Sequence, residues 1–205
     1  MSRIKICGLK RECDIDYANE FLPDYIGFIF ANTKRYVPPE LAKTLKARLD
    51  SRIKAVGVFV NEDIDLVCDI ANGGTIDLIQ LHGDEDENYI NTIKQRTGKP
   101  IIKAVRVRSS QQVITAEKLP CDYLLLDTYR KEQYGGIGES FNWELIPKTL
   151  SKPFFLAGGL NSENILQAEN TVKPYCLDIS TGVEENGFKS REKIEEIIKL
   201  IRSEK

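Results

Sequence analysis

The sequence predicts an α/β protein that forms a single (β/α)8 barrel of the TIM type, and three observations lead to this prediction. Short apolar runs typical of buried parallel strands alternate with segments of helical periodicity along the 205 residues. Eight strands can be placed, about 25 residues apart, which favours a closed barrel with short loops. No Gly-x-Gly-x-x-Gly pattern follows any strand, which disfavours the alternative of an open doubly wound sheet.

The predicted strands are short apolar runs between glycine, proline or polar segments. Gly8 closes the first strand, and Gly98 to Pro100 precede the fifth. The sixth begins after Cys121 and carries an acidic residue, Asp127, near its end. In chain order the strands are predicted at residues 3–7, 24–30, 53–60, 76–82, 101–107, 122–128, 153–157 and 176–180.

A helical pattern is predicted in each connection, which gives eight helices. The first breaks at Pro23, and the second begins at Pro38–Glu40, where prolines are tolerated in the first turn. The third is predicted to begin at an Asn61 N-cap and to stop before Gly73. The others are predicted over 84–97, from 109, and over 143–150, 161–170 and 190–201.

Composition excludes several functional classes. A hydrophobic content of 41% supports one core, so residues 1–205 are predicted to form one domain. The net charge is −2 without a Lys/Arg stripe, which disfavours a nucleic-acid partner. We find neither an apolar run of membrane-spanning length nor a signal-peptide pattern, and we expect no membrane partner and a cytoplasmic location. The sequence leaves monomer or homodimer open.

The cysteine and histidine content of the sequence predicts reduced thiols and excludes one kind of metal site. The five cysteines are odd in number and form no Cys-x-x-Cys pair, which predicts reduced thiols. A single His excludes a histidine-rich zinc site, and we expect no metal. Four of the cysteines fall on helices or at strand starts and are interpreted as packing residues.

Cys7 differs from the other cysteines because it ends the first strand, and barrel enzymes gather catalytic groups at the carboxyl ends of strands. It is a candidate general base, and the structural alternative is an inert buried thiol. A free thiol is mostly protonated at neutral pH, so a base role needs a nearby cation. Strand alternation places Lys5 on the same face, and we expect it to be buried and partnered by Asp178 or Gln80.

Asp127 is a candidate general acid or base at the end of the sixth strand, and the alternative is a buried structural carboxylate. Arg35 lies in the polar loop after the second strand. Its guanidinium suits a substrate carboxylate, although a solvated side chain is the default reading. His82 ends the fourth strand and either orients a polar substrate group or caps the strand.

Glycine-bearing loops follow the sixth, seventh and eighth strands. Glycines let backbone N–H groups approach an anion, and the loops after strands seven and eight are the recurrent phosphate position of this fold. The structural alternative is that these glycines only make tight turns. The predicted substrate-binding residues in and beside these loops are Gly136, Gly138, Gly158, Gly159, Asp178, Ser180, Thr181 and Gly182.

Taken in order, these segments resemble the phosphoribosylanthranilate isomerase family of tryptophan biosynthesis. The matching motifs are KICG at 5–8, GFIF at 27–30, RYV at 35–37, VGVFV at 56–60, QLHGD at 80–84, KAVR at 103–106, LLD at 125–127, GGIG at 135–138, FNW at 141–143, LAGGL at 156–160 and DISTGVE at 178–184. Three positions depart from the family pattern: Thr33-Lys34 replace Ser-Pro, Ile137 replaces Thr and Asn142 replaces Asp.

The resemblance implies a cofactor-free Amadori rearrangement of N-(5-phosphoribosyl)anthranilate, a small phosphorylated substrate. It implies that Asp127 protonates the furanose ring oxygen and that Cys7 removes the C2 proton. It further implies that Arg35 holds the anthranilate carboxylate and that the glycine loops hold the phosphate. The Ile137 side chain lacks the hydroxyl that the family carries there, so we expect one phosphate or loop contact to be weaker.

Other functions are conceivable for such a barrel. The related phosphoribosyl isomerase of histidine biosynthesis would be expected to use two carboxylates, so Cys7 disfavours it. A sugar-phosphate epimerase or aldolase is another alternative, but an aldolase needs a Schiff-base lysine at a strand end or a metal site. Lys103 is a poor candidate for that lysine, because it lies three residues before Arg106. A non-catalytic barrel that serves as a binding module is disfavoured because Cys7, Arg35 and Asp127 are all present.

Overall fold

The computed structural model describes residues 2–128 and 142–203, and a closed parallel barrel forms its centre. Neighbouring strands pair in sequence order, and pairing of the first strand with the eighth closes the barrel. The predicted fold is therefore confirmed. The strands are β1 Arg3–Cys7, β2 Tyr25–Ile29, β3 Lys54–Phe59, β4 Leu78–Leu81, β5 Ile101–Val107, β6 Tyr123–Thr128, β7 Phe154–Leu156 and β8 Cys176–Ile179.

Seven α-helices surround the barrel in the part of the chain that the structure describes. They bury apolar stripes against the strands, as α7 does with Ile194, Ile197, Ile198 and Ile201. A short antiparallel hairpin of β9 (Glu184–Glu185) and β10 (Phe188–Lys189) precedes α7. The helices are α1 Glu12–Phe21, α2 Pro39–Arg48, α3 Ile64–Asn72, α4 Glu87–Thr97, α5 Ser110–Glu117, α6 Ile165–Val172 and α7 Arg191–Arg202.

The helix predicted over 143–150 is wrong. Only a 3-10 turn, Trp143–Leu145, forms there. Pro147 explains the difference, because a helix through this position would need its missing N–H to bond to the Trp143 carbonyl. Ile146 donates to that carbonyl instead, at 3.0 Å, and the helical turn goes no further.

The predicted N-cap at Asn61 is also wrong. Asp63 caps α3, because its carboxylate accepts from the backbone N–H groups of Asp65 and Leu66. Asn61 has a left-handed backbone with φ of 49°, and its side-chain oxygen accepts from the Asp84 backbone at 2.7 Å. It therefore joins two loops at the carboxyl ends of the strands.

The barrel interior changes from apolar to polar along its axis. Side chains alternate along each strand, so every second residue points inward. The amino-terminal half is filled by an apolar cluster that includes Tyr25, Leu125 and Phe155. The carboxyl-terminal half carries the polar groups, and this asymmetry locates the candidate site. None of the helices described is both long and apolar enough to cross a lipid bilayer.

Candidate active site

A cavity of about 520 Å³ opens at the carboxyl ends of the barrel strands. Each of the eight strand ends contributes to its wall, with the residues Cys7, Ile29, Val58, Gln80, Arg106, Asp127, Ala157 and Asp178. Loop residues Arg35, Gly158, Gly159 and Thr181 complete it. The thiol and the carboxyl group that the sequence singles out therefore line the same cavity.

Cys7 lies beside a buried ion pair. Lys5 is fully buried one layer below it, and its Nζ donates to Oδ2 of Asp178 at 2.8 Å. Of the two partners that the sequence predicts for Lys5, Asp178 is the one it binds. Burial lowers the pKa of Lys5, but the charges of Asp178 and Cys7 outweigh burial and raise it, so Lys5 carries its charge at neutral pH.

The net pKa of the Cys7 thiol is nevertheless above its ordinary value. Burial raises it most, the positive charge of Lys5 lowers it, and Asp178 raises it again. Lys189 adds a smaller lowering effect. The free protein thus holds Cys7 as a thiol, next to a cation that stabilises the thiolate when it forms.

Glycines make room around the end of β1. Gly27 is the β2 partner of Cys7, and a Cβ at Gly27 would lie 2.7 Å from the Cys7 sulfur. Gly8 turns the chain with φ of 89°, and a Cβ there would lie 2.7 Å from Cδ of Arg35. Both positions therefore require glycine, and both bring reactive side chains close to the cavity.

Asp127 is held by its own strand and by His82. Its Oδ1 accepts from the Thr128 N–H at 2.8 Å, and its Oδ2 lies 3.3 Å from Nε2 of His82. The Gln80 side-chain amide, with its nitrogen facing the ring, lies 2.9 Å from Nδ1 of His82. In that orientation the imidazole carries its proton on Nε2 and donates it to Asp127. His82 therefore contacts the candidate acid.

Glycines in the loops after β7 and β8 lie close to other parts of the protein, which accounts for their tight packing and leaves the predicted phosphate contact a prediction. Gly158 and Gly159 have φ of 88° and 72°, and a Cβ at Gly158 would lie 2.1 Å from the Thr128 hydroxyl. A Cβ at Gly182 would lie 2.0 Å from the Leu160 carbonyl oxygen. The predicted residues Gly136 and Gly138 lie outside the described residues.

Two of the other predicted substrate-binding residues have protein partners. The Ser180 hydroxyl donates to the Cys7 carbonyl at 3.0 Å, so it ties β8 to β1. Asp178 uses Oδ2 for Lys5, while its Oδ1 is buried without a hydrogen-bond partner among the described residues. Thr181 is exposed and lines the cavity.

Arg35 lines the cavity with its guanidinium paired to a carboxylate. Its Nε donates to Oε1 of Glu184 at 2.6 Å, and its Nη2 donates to Oε2 at 2.8 Å. The default reading of Arg35 as a solvated side chain is therefore wrong, because its guanidinium is paired with Glu184. Sequence reasoning assigned Glu184 no role, and the available signal was its place in the segment that follows β8. Arg106 was likewise unassigned and lines the cavity.

Within the described ranges, no group of three His, Cys, Asp or Glu side chains could hold a metal ion. A closed parallel barrel with a thiol, a carboxyl group and glycine loops around one cavity at the carboxyl ends of its strands is the arrangement of a (β/α)8-barrel enzyme. The fold and the site thus define the class of protein.

Comparisons with known proteins identify the family within that class. A family model described as N-(5'phosphoribosyl)anthranilate (PRA) isomerase matches residues 4–200, and the chain belongs to this family. An N-(5'-phosphoribosyl)anthranilate isomerase from Endomicrobium trichonymphae is 48% identical over 203 residues, which is 99% of this chain and 100% of the relative.

Two solved structures of phosphoribosyl anthranilate isomerases are similar along nearly the whole chain. The Thermotoga maritima structure has a TM-score of 0.89 and 36% identity, with 99% of this chain and 100% of that one covered. A second structure is a complex with reduced 1-(O-carboxyphenylamino)-1-deoxyribulose 5-phosphate. It has a TM-score of 0.83 and 31% identity, with 99% of this chain and 100% of that one covered.

Proposed function

We propose that this protein converts N-(5-phosphoribosyl)anthranilate into 1-(2-carboxyphenylamino)-1-deoxyribulose 5-phosphate in tryptophan biosynthesis, with Cys7 and Asp127 as its catalytic groups. The observation that carries the two catalytic assignments is that both side chains line one cavity at the carboxyl ends of β1 and β6. The similar structure that holds the reduced product analogue supports the choice of substrate. The reaction is an internal proton rearrangement, so we expect it to run without cofactor or metal, in the cytoplasm, by a monomer or a homodimer.

Asp127 opens the furanose ring in the first step. Its carboxyl group gives a proton to the ring oxygen, the bond from C1 to that oxygen breaks, and the nitrogen lone pair forms an iminium at C1. His82 contacts Oδ2 of Asp127, which fixes the direction of the carboxyl group. Because this contact comes from the end of β4, two strands from β6 in the barrel, the carboxyl group is oriented before substrate binds.

Cys7 acts on the open-chain iminium. The Cys7 thiol first loses its own proton to solvent. The resulting thiolate takes the proton from C2, and the C2–H electron pair moves towards the iminium to give an enolamine. Tautomerisation then places a carbonyl at C2 and a new hydrogen at C1, so that no atom is gained or lost. The buried charge of Lys5 stabilises the thiolate that this step needs.

The two ends of the substrate are held on either side of the reacting carbons. Arg35 supplies charged N–H donors for the anthranilate carboxylate, as its place in the cavity wall permits. The phosphate binds at the loops of Gly158, Gly159 and Thr181, three residues that line the cavity. Holding both ends aligns C2 with the thiol.

Isotope effects on two variants test the assignment of roles. In Cys7→Ser we expect turnover to fall by orders of magnitude, and substrate deuterated at C2 should react several-fold more slowly than unlabelled substrate. In Asp127→Asn we expect almost no turnover and no isotope effect, because ring opening then limits the rate. Loss of substrate fluorescence measures both, and Cys13→Ser on helix α1 serves as the control for replacing a thiol. Rates close to those of the unaltered protein in either variant would refute the roles.

The related isomerase of histidine biosynthesis is the nearest competing function. It would be expected to place a second carboxylate where β1 here ends in Cys7. Turnover of its aminoimidazole ribonucleotide at a rate comparable with the anthranilate substrate would overturn the proposed specificity.

A further inference from the structure

Arg35 enters the cavity with only part of its donor capacity in use. A guanidinium has five N–H groups, and the pair with Glu184 occupies Nε and one N–H of Nη2. No other hydrogen bond of the Arg35 side chain is found among the described residues. The remaining Nη1 and Nη2 N–H groups form a second fork, which has the shape that binds a carboxylate in a bidentate way.

Glu184 is itself held from several directions. The Lys189 ammonium donates to its Oε1 at 2.8 Å, and Lys193 donates to its backbone carbonyl at 2.8 Å. The side chain of Lys189 is 1% exposed and that of Glu184 is 11% exposed, so water offers little competition. The β9–β10 hairpin brings these groups together, since it pairs Lys189 with Glu184. The position of the carboxylate is therefore fixed before any ligand arrives.

The same network reaches the loop after β8. Lys189 also donates to the Ser180 carbonyl at 2.9 Å, and the Ser180 hydroxyl donates to the Cys7 carbonyl at 3.0 Å. One chain of contacts thus runs from Arg35 through Glu184 and Lys189 to the end of β1. It joins the place proposed for the substrate carboxylate to the loop proposed for the phosphate.

We propose that Glu184 is a positioning residue, which holds one edge of the Arg35 guanidinium so that the free edge faces the carboxylate of the substrate. This inference rests on the proposed function, because it assumes that Arg35 binds that carboxylate. Without Glu184 the long Arg35 side chain can rotate, and its loss of orientation weakens only ligands that carry the carboxylate. The opposite possibility is that Glu184 competes with the substrate for Arg35.

Two ligands separate positioning from general structural support. One is reduced 1-(2-carboxyphenylamino)-1-deoxyribulose 5-phosphate, and the other is the same molecule without the ring carboxylate. Calorimetric titration gives the Kd of each for the unaltered protein, Glu184→Gln and Glu185→Gln. Glu185 is the matched control, because it is exposed in the same hairpin and its replacement removes the same charge.

We expect Glu184→Gln to weaken binding of the carboxylated ligand about 10-fold. The substitution removes the charge from the bidentate pair that holds the Arg35 guanidinium in place. Binding of the ligand without carboxylate should change less than about 2-fold, and Glu185→Gln should change neither. Equal weakening of both ligands would reduce Glu184 to a structural role. Tighter binding of the carboxylated ligand would show competition. Either result would overturn the inference.

Arg35→Lys distinguishes failure of this inference from failure of the proposed function. Lysine keeps the charge and loses the fork, so the preference for the carboxylated ligand should shrink. If that preference is unchanged in Arg35→Lys, the proposed carboxylate contact fails, and the role of Glu184 fails with it. If the preference shrinks in Arg35→Lys and survives in Glu184→Gln, only the role of Glu184 is refuted.

Discussion

The ion pair beneath Cys7 leads to a prediction in which two substitutions have opposite signs. The Lys5 charge lowers the pKa of the Cys7 thiol, and the Asp178 charge raises it. Lys5→Met should therefore raise the thiol pKa above its value in the unaltered protein. Asp178→Asn should lower it, because Lys5 then acts without its counterion. Lys5→Met with Asp178→Asn removes both charges and should give an intermediate value.

The size of the effect follows from simple electrostatics. Two unit charges about 4 Å apart interact by about 4 kcal/mol at an effective dielectric constant of about 20. At about 1.4 kcal/mol per pKa unit, this corresponds to a ceiling of about 3 units. Water in the cavity screens part of the interaction, so we expect Lys5→Met to raise the thiol pKa by about 1 to 2 units. The thiolate fraction at neutral pH would then fall about 10- to 100-fold.

Alkylation of the ligand-free protein measures the thiol directly. Iodoacetamide reacts with the thiolate, and mass spectrometry of the Cys7 peptide gives its rate as a function of pH. The Cys13 peptide in the same samples is an internal control, whose pH profile should not change among the variants.

Lys5→Met leaves Asp178 buried without its partner and should cost about 3–5 kcal/mol of unfolding free energy. The double variant avoids this cost and keeps the test usable if Lys5→Met does not fold. A fall of the thiol pKa in Lys5→Met, or a rise in Asp178→Asn, would refute the reasoning.

Three further predictions follow from individual residues. Gly159→Asp should abolish binding of the phosphorylated product analogue in calorimetric titration while the circular dichroism spectrum is retained, and unchanged binding would refute the phosphate loop. Gly27→Ala places a Cβ 2.7 Å from the Cys7 sulfur and displaces the thiol. In steady-state assays kcat should therefore fall at least about 10-fold with KM nearly constant, and an unaltered kcat would show that the added methyl group does not displace the Cys7 thiol. Burial raises the pKa of Glu184, but Arg35 and Lys189 lower it to about 2, from 4.5 ordinarily. The ionised Glu184 side chain therefore adds to the free energy of unfolding above pH 4.5. This contribution, about 3 kcal/mol at most, is lost as pH falls towards about 2. Denaturant titrations should show a shallower loss over this range in Glu184→Gln, and identical slopes would contradict the pair.

Strand periodicity explains why so much of the site could be predicted from the sequence. Because side chains alternate strictly along a strand, Lys5 and Cys7 must share a face. Parallel strands in a barrel also end at the same rim, so Cys7 and Asp127 had to approach one another. These are consequences of local geometry and need no knowledge of side-chain contacts.

The remaining features depend on tertiary contacts or on competing local signals. The bond between Arg35 and Glu184 joins residues 149 positions apart and depends on how the β9–β10 hairpin folds. The cap of α3 was assigned to Asn61 when Asp63 lay two residues further on, and both are good capping residues. At Pro147 the missing N–H overrides the helical pattern around it.

A crystal structure of this protein with reduced 1-(2-carboxyphenylamino)-1-deoxyribulose 5-phosphate is the most direct test of the proposed chemistry. We expect the Cys7 sulfur to lie within about 3.5 Å of C2 and the Asp127 carboxyl group to lie within hydrogen-bond distance of the oxygen that closes the ring. A ligand bound with C2 facing away from Cys7 would contradict the proposed mechanism. So would a ligand in which C2 and the ring-closing oxygen both face the same one of these two residues, because the mechanism assigns C2 to Cys7 and the oxygen to Asp127.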